Sequence, residues 1–154
     1  MIRSATHNGK IPWVSLDDVA AVAYHALVDE PAHNTEHFIL GSELLSYGDV
    51  SDPFLANQAF QKKKKTDEIW TEVAQILSDT LGRKITHVTI SEKEVAEELE
   101  SFDLQPEYAQ VLAALDTAVS NGVEERLNNT VLSVAGRPPK RFQEFVNENR
   151  NVWT

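Results

Sequence analysis

The chain has 154 residues, 42% of them apolar, which is enough for one globular domain with a modest core. The absence of cysteine excludes disulfides and thiolate metal sites. The formal net charge of −10 and the pI near 4.9 argue against nucleic acid as a partner, because phosphate contacts need clustered Lys and Arg. No apolar run reaches the ~18 residues that a membrane span needs, and MIRSATHNGK lacks the apolar core of a signal peptide. We therefore expect a cytoplasmic protein with no membrane contact.

The first thirty residues predict a strand followed by a capped helix. Lys10 to Val14 is a short β signal, and Ser15 with Asp18 has the spacing of a capping box. Pro31 cannot continue the helix. The apolar residues recur at helical steps, which predicts one buried face, made of Val19, Val22, Ala23, Ala26 and Leu27.

A second strand and a second cap follow. Glu36 to Leu40, closed by Gly41, predicts a strand, and Ser46 with Asp49 repeats the capping-box spacing. Strands that alternate with helices indicate α/β organisation.

Residues 50–72 interrupt this pattern. They contain a proline and the block Lys62 to Lys65, and they show no sustained helical period. Their removal joins Asp49 to Val73 and leaves one apolar helical face, consisting of Val73, Ile76, Leu77 and Leu81, which ends at Gly82. Removal of 51–73 gives the same joined sequence, because Val50 and Val73 are identical.

Our hypothesis is that this irregular insertion is a translated intron. The pair Val50 and Ser51 can be encoded by GTAAGT, a common intron start, and Glu72 by GAG, which ends in AG. The 23 codons keep the reading frame. The alternative is a genuine surface insertion, which loops tolerate thermodynamically. Sequencing of the spliced transcript distinguishes the two.

The remaining residues predict another strand and three further helices. Lys84 to Ile90 alternates as a strand, and Ser91 with Glu94 forms a third capping-box pattern. Pro106 suits the first turn of a helix that ends at Asn121 and Gly122, and a proline-started helix follows in GRPPKRFQEFVNENRNVW. The predicted buried faces are Val95, Leu99 and Phe102; Tyr108, Val111, Leu112, Leu115 and Val119; and Phe142, Phe145 and Val146.

Motifs that would hold a nucleotide or perform catalysis are missing from the sequence. There is no G-x-G-x-x-G turn to place backbone N–H groups against a pyrophosphate, and no Tyr-x-x-x-Lys pair to donate a proton. The P-loop, G-x-S-x-G and H-E-x-x-H patterns are absent as well. We predict no cofactor-binding residue and assign no catalytic residue.

Trp13 and Tyr108 are the two candidate substrate-binding residues. Trp13 lies at a strand end before a helix, where open α/β sheets place ligand contacts, although core packing would explain it equally well. Tyr108 lies on an apolar helical face, where a core role is the more common one.

The other polar clusters have simpler interpretations. His33, Glu36 and His37 are of metal-ligand type, but they straddle a loop and a strand, so we predict a solvated loop and no metal site. Asp17 and Asp18 suit the first helical turn better than paired acid/base catalysis. Lys62 to Lys65 is interpreted as a solvated block and not as a nucleic-acid patch.

Four segments in order, IPWVSLDDVAAVAYHALVDEP, HFILGSELLSYGDV, ILSDTLGRKITHVTISEKE and GRPPKRFQEFV, resemble the C-terminal half of an NmrA-like, atypical short-chain dehydrogenase. The resemblance is strongest to the fungal ergot-alkaloid group of festuclavine and agroclavine dehydrogenases, and it covers nearly the whole chain apart from residues 50–72. It implies the substrate-side portion of an NAD(P)-binding Rossmann-like fold, with the nucleotide-binding half absent from residues 1–154.

The resemblance also implies a reaction. Enzymes of this group use NADPH to reduce a cyclic iminium derived from chanoclavine-I aldehyde, so the implied ligand is a small alkaloid intermediate. In such reactions the cofactor supplies the hydride and the protein orients the substrate. Because the glycine-rich motif has no matching position, we expect residues 1–154 alone to be inactive, to bind no NADPH and to self-associate through exposed apolar surface. The alternative is a regulatory, nucleotide-sensing or protein-interaction module, a role that other NmrA-like proteins perform.

Overall fold

The computed structural model describes residues 1–48 and 73–153, which form two compact units. Unit 1 contains residues 1–11 and 45–125, and unit 2 contains residues 12–44 and 126–154. In chain order the elements are β1 (Ile2–Ser4), β2 (Ile11–Pro12), α1 (Leu16–Val28), β3 (Leu44–Leu45), α2 (Val73–Leu81), β4 (His87–Thr89), α3 (Glu92–Glu100), α4 (Pro106–Ser120), α5 (Thr130–Ala135), α6 (Phe142–Glu148) and a 3-10 turn (Arg150–Val152).

The expected α/β organisation is confirmed. In unit 1, β1 and β4 pair in parallel, with Ile2 opposite His87 and Ser4 opposite Thr89. Parallel neighbours need a long crossover connection, which is typical of α/β folds. The short strands β2 and β3 form a second two-stranded sheet.

The predicted strand at Glu36 to Leu40 is wrong. Its backbone groups bond elsewhere: the Phe38 carbonyl accepts from Asn128 Nδ2 at 2.7 Å, and the Gly41 N–H donates to the Pro12 carbonyl at 3.2 Å. The strand lies later in the chain, at β3. The strands predicted at 10–14 and 84–90 are present but shorter, as β2 and β4.

Helix α1 begins and ends where the sequence predicts. Ser15 is its N-cap, and Ser15 Oγ accepts from the Asp18 N–H at 3.1 Å. The predicted buried face is only partly correct, because Val22 is buried whereas Ala23 and Leu27 are exposed. The helix packs against α5, which buries Val131, so a narrower stripe is covered than the apolar pattern suggests.

Helices α3 and α4 of unit 1 pack through small side chains. The capping box of α3 is confirmed, since Ser91 Oγ accepts from the Glu94 N–H and the Glu94 carboxylate accepts from the Ser91 N–H. The buried contact residues are Ala96 on α3 and Ala109 and Ala113 on α4. We call this set the alanine seam.

Because α4 packs against α3 through the alanine seam, the predicted apolar face of α4 lies away from the core. Val119 is buried, but Tyr108, Val111 and Leu115 are each more than half exposed, so their predicted burial is wrong. Phe102, which follows α3, is also exposed, contrary to prediction. Alanines allow the closest approach of two helices, and that contact decides which face is inside.

Helices α2 and α6 also follow the sequence in part. Gly82 has φ +66°, as the predicted helix-ending position requires. Val146 of α6 is fully buried, while Phe142 and Phe145 are only half-buried. Arg141 is the N-cap of α6, so the helix does not begin at a proline.

Three predictions lie outside the described residues, namely the irregular insertion at 50–72, the Lys62 to Lys65 block and Asp49 of the second capping pair. Within residues 1–48 and 73–153, none of the helices combines the length and the hydropathy that crossing a bilayer demands.

Candidate substrate pocket

Trp13 lines an apolar cavity within unit 2. The cavity has a volume of about 220 Å³. Its walls come from the chain between β2 and α1 and from the start of α6, and they comprise Trp13, Val14, Ser15, Leu16, Lys140, Phe142 and Phe145. The prediction that Trp13 lies at a strand end, directly before a capped helix, is confirmed by the position of β2 and α1.

Aromatic rings form the main wall of this pocket. The Trp13 and Phe142 ring centroids are 5.4 Å apart with the planes tilted by 52°, and the Phe142 and Phe145 centroids are 6.3 Å apart. Trp153 extends the row, with its ring 6.1 Å from that of Phe145. Tilted rings at these separations attract one another beyond simple burial, so they stabilise an apolar, aromatic wall. Such a wall can pack against another ring system.

The carboxylates of Asp18 and Glu43 hold residues 137–142 in place, and this segment carries part of the aromatic wall. The Asp18 carboxylate, which is fully buried, accepts from Arg137 Nη1 at 2.5 Å and from the Lys140 N–H at 2.8 Å. The Glu43 carboxylate accepts from the Phe142 N–H at 2.8 Å and from Arg141 Nη2 at 3.0 Å. Residues 137–142 are therefore bonded at both ends, which positions Lys140 and Phe142.

Lys140 contributes a fixed charge at the pocket. Its Nζ donates to Asp17 Oδ2 at 2.7 Å and to Glu148 Oε2 at 2.5 Å. These hydrogen bonds raise the pKa of Lys140 and, in return, the bond from Lys140 lowers the pKa of Asp17. An ammonium group held in this way stays protonated near neutral pH, so it acts as a charge and not as a proton donor. Together, Lys140, Asp17 and Glu148 carry a formal net charge of −1.

Sequence reasoning did not predict the pocket role of Lys140, Phe142 and Phe145. The two phenylalanines were predicted as core, and they line a cavity because they are only half-buried. Asp17 and Asp18 lie in the first turn of α1, as predicted, and their carboxylates also bond to Lys140 and Arg137, 119 or more positions along the chain. The segment GRPPKRFQEFV contributes to the family resemblance, but its partners Asp18 and Glu43 are too distant in sequence to be paired with it by spacing.

Tyr108, the second candidate, lies in unit 1 on α4, with its side chain more than half exposed. It does not line the unit 2 pocket. Its assignment as a substrate-binding residue stays a prediction.

The histidine group of unit 2 forms a hydrogen-bonded chain. His33 Nδ1 lies 2.9 Å from His37 Nε2, and the Asp29 carboxylate lies 3.0 Å from His25 Nδ1 and 3.3 Å from His33 Nε2. The hydrogen bond from His25 lowers the pKa of Asp29. In the part of the chain that the structure describes, no three histidine or acidic residues are arranged to hold a metal ion.

Five of the six glycines lie where they do not form the turn that holds a dinucleotide pyrophosphate. A Cβ on Gly9 would lie 2.1 Å from the Val119 carbonyl oxygen, and one on Gly41 would lie 1.6 Å from that of Trp13, so both glycines serve close backbone packing. Gly82, Gly122 and Gly136 have positive φ at helix C-terminal ends, which is the wrong end for an anion. None of these glycines forms a phosphate-binding turn.

No protein-family model matches the chain. Among curated proteins, festuclavine synthase II of Penicillium roqueforti is 39% identical over 99% of this chain, and agroclavine dehydrogenase of Claviceps fusiformis is 38% identical over the same share. An uncharacterised oxidoreductase of Bacillus subtilis, YesF, is 33% identical. The chain spans about 45% of the length of these relatives.

Solved structures show the same fold. The Citrobacter triphenylmethane reductase complexed with NADP(H) superposes with a TM-score of 0.70 at 20% identity, covering 96% of this chain and 43% of that one. The NADPH-dependent quinone oxidoreductase QOR2 of Escherichia coli gives 0.69 at 21% identity, covering 97% and 46%. The fold is therefore that of part of an NAD(P)-binding reductase.

Proposed function

We propose that the chain belongs to the family of festuclavine and agroclavine dehydrogenases, which are NmrA-like short-chain dehydrogenases, because it is 36–39% identical to such proteins over 99% of its own length. In this proposal it corresponds to their C-terminal half and forms the substrate side of an NADPH-dependent oxidoreductase. The proposed reaction is reduction of a cyclic iminium derived from chanoclavine-I aldehyde. We assign the nucleotide to the part of the relatives that this chain does not match, and we expect residues 1–154 alone to be inactive.

The aromatic pocket is the observation that carries this proposal. Trp13 and Phe142 line a cavity of about 220 Å³, which is below the ~300 Å³ at which drug-sized ligand sites begin. That volume suits one fused ring system, such as the indole end of an alkaloid. The bonds from Asp18 and Glu43 hold the wall in place before a ligand arrives, which lowers the entropic cost of binding.

A chimaeric enzyme tests the proposal. The matching part of the Penicillium roqueforti festuclavine synthase II is replaced by this chain, and NADPH oxidation is measured with the chanoclavine-derived iminium. We expect turnover, and we expect Trp13→Ala to lower kcat/KM about 30-fold, the loss of roughly 2 kcal/mol of binding to the ring wall. Tyr24→Ala is the matched control, since Tyr24 is an exposed aromatic residue of unit 2 outside the pocket.

Two results would contradict the proposal. Equal kcat/KM for Trp13→Ala and Tyr24→Ala would show that the pocket takes no part in the reaction. Saturable NADPH binding by residues 1–154, with circular dichroism showing a folded sample, would overturn the assignment of the nucleotide to the unmatched part. The chimaera with Tyr108→Ala tests the second predicted residue in the same assay.

A regulatory function is the second candidate. The exposed apolar row Tyr108, Val111 and Leu115 on α4 favours it, because such rows are common at protein interfaces. A chimaera that binds NADPH without reducing the iminium would support this sensor role over the enzyme.

A further inference from the structure

A hydrogen bond at the start of α2 joins two residues that lie far apart in sequence. The Val73 N–H donates to the Ser46 carbonyl at 3.1 Å, although 27 positions separate the two residues. Ser46 Oγ also accepts from the Gly48 N–H at 3.3 Å. Ser46 is buried, so both bonds are shielded from water.

This pattern is that of a helix N-terminus. An N-cap serine accepts through its side chain from the second or third helical residue, and its carbonyl accepts from the fourth. Gly48 is the second residue after Ser46, as the side-chain bond requires. Val73 makes the bond expected of the fourth residue, and it becomes the fourth residue only when positions 50–72 are not counted.

The burial of the side chains on either side of residues 50–72 fits the same helical register. When 50–72 are left out, Val73 and Ala74 lie three and four positions after Tyr47, which places all three on one helical face. Val73 and Ala74 are buried, and Tyr47 is largely buried, with its ring stacked 5.9 Å from that of His87. This burial raises the pKa of the Tyr47 phenol.

We infer that residues 50–72 are an insertion into the first turn of α2, and that the chain without them forms one continuous helix from Tyr47 to Leu81, capped by Ser46. The insertion has 23 residues. The bonds that Ser46 accepts from Gly48 and Val73 have the register of a single helix that continues at Val73. The inference is independent of the proposed function, because it concerns unit 1 only and uses no pocket residue.

Deletion variants of the full chain test this inference. Deletion of 50–72 joins Asp49 to Val73, completes the turn and removes the entropic cost of closing a long loop. We expect its Tm to rise by about 5 °C or more, as measured by circular dichroism. We also expect slower hydrogen exchange at the Val73 and Ala74 amides.

The control is deletion of 50–71, which leaves Glu72 in place. One extra residue rotates Val73 and Ala74 by about 100° relative to Ser46 and breaks the capping register. We expect this variant to melt below the 50–72 deletion by about 5 °C. Equal melting temperatures for the two deletions, or a Tm of the 50–72 deletion below that of the full chain, would overturn the inference.

Discussion

Single carboxylates determine more of unit 2 than the apolar pattern of its helices does. Asp18 is fully buried, and both of its oxygens accept hydrogen bonds from the segment that carries Lys140. The capping role predicted for it is half correct, because its N–H bonds to Ser15 while its carboxylate points to Arg137. No spacing rule pairs Asp18 with Arg137, because residues 119 positions apart are joined only by the tertiary fold.

Asp18→Asn is predicted to destabilise the protein by about 2 kcal/mol, the cost of a charge-assisted hydrogen bond at a buried acceptor. Urea unfolding measures this free energy. Asp17→Asn is the matched control, because Asp17 is exposed and bonds to a side chain at the surface, where such pairs contribute about 1 kcal/mol or less. Similar midpoints for the two variants would show that the Asp18 bonds do not stabilise the fold.

At the scale of elements, the position of helices was easier to predict than the direction they face. The caps at Ser15 and Ser91 and the stop at Gly82 are local chemistry, and each is correct. The inward face of α4 depends on the alanine seam, and a contact through small residues carries almost no hydrophobic signal. The strand predicted at Glu36 to Leu40 is wrong for a different reason, since the Phe38 carbonyl bonds to the side chain of Asn128 and not to a neighbouring strand.

Ala113→Leu tests the alanine seam. Ala113 is fully buried between α3 and α4, so three added carbons force the helices apart, and we expect a loss of about 2 kcal/mol in stability. Ala114→Leu, on the exposed side of the same helix, should change stability by less than about 0.5 kcal/mol. Thermal melts measure the stability of the two variants. Equal losses of stability would show that α3 and α4 do not pack against each other through Ala113.

At the scale of the whole molecule, the alternation of strands and helices predicted the α/β class, and the family resemblance predicted exposed apolar surface without identifying the residues that form it. Each unit exposes large apolar side chains, for example Leu16 and Leu27 in unit 2 and Phe102 and Val111 in unit 1. The sequence assigned most of these positions to a core. Burial depends on neighbours, and the chain matches only about 45% of the length of its relatives.

We expect the isolated chain to self-associate through such surface. Val111→Lys adds a charge to the exposed row of α4 without changing a buried contact, so it should lower the weight-average mass in sedimentation equilibrium. Gln110→Lys adds the same single charge at an exposed position on another face of the same helix, and it is the control for charge alone. A monomeric wild-type chain at tens of micromolar would contradict the expectation.

Gly41 shows that the shape of the pocket is partly encoded by a residue that does not line it. Its Cα hydrogen faces the Trp13 carbonyl oxygen, and a methyl group in that place would overlap the oxygen. Any larger residue at position 41 must push the backbone of Trp13 aside, and the indole moves with it. Under the proposed function, such a substitution changes ligand preference without adding a contact to the ligand.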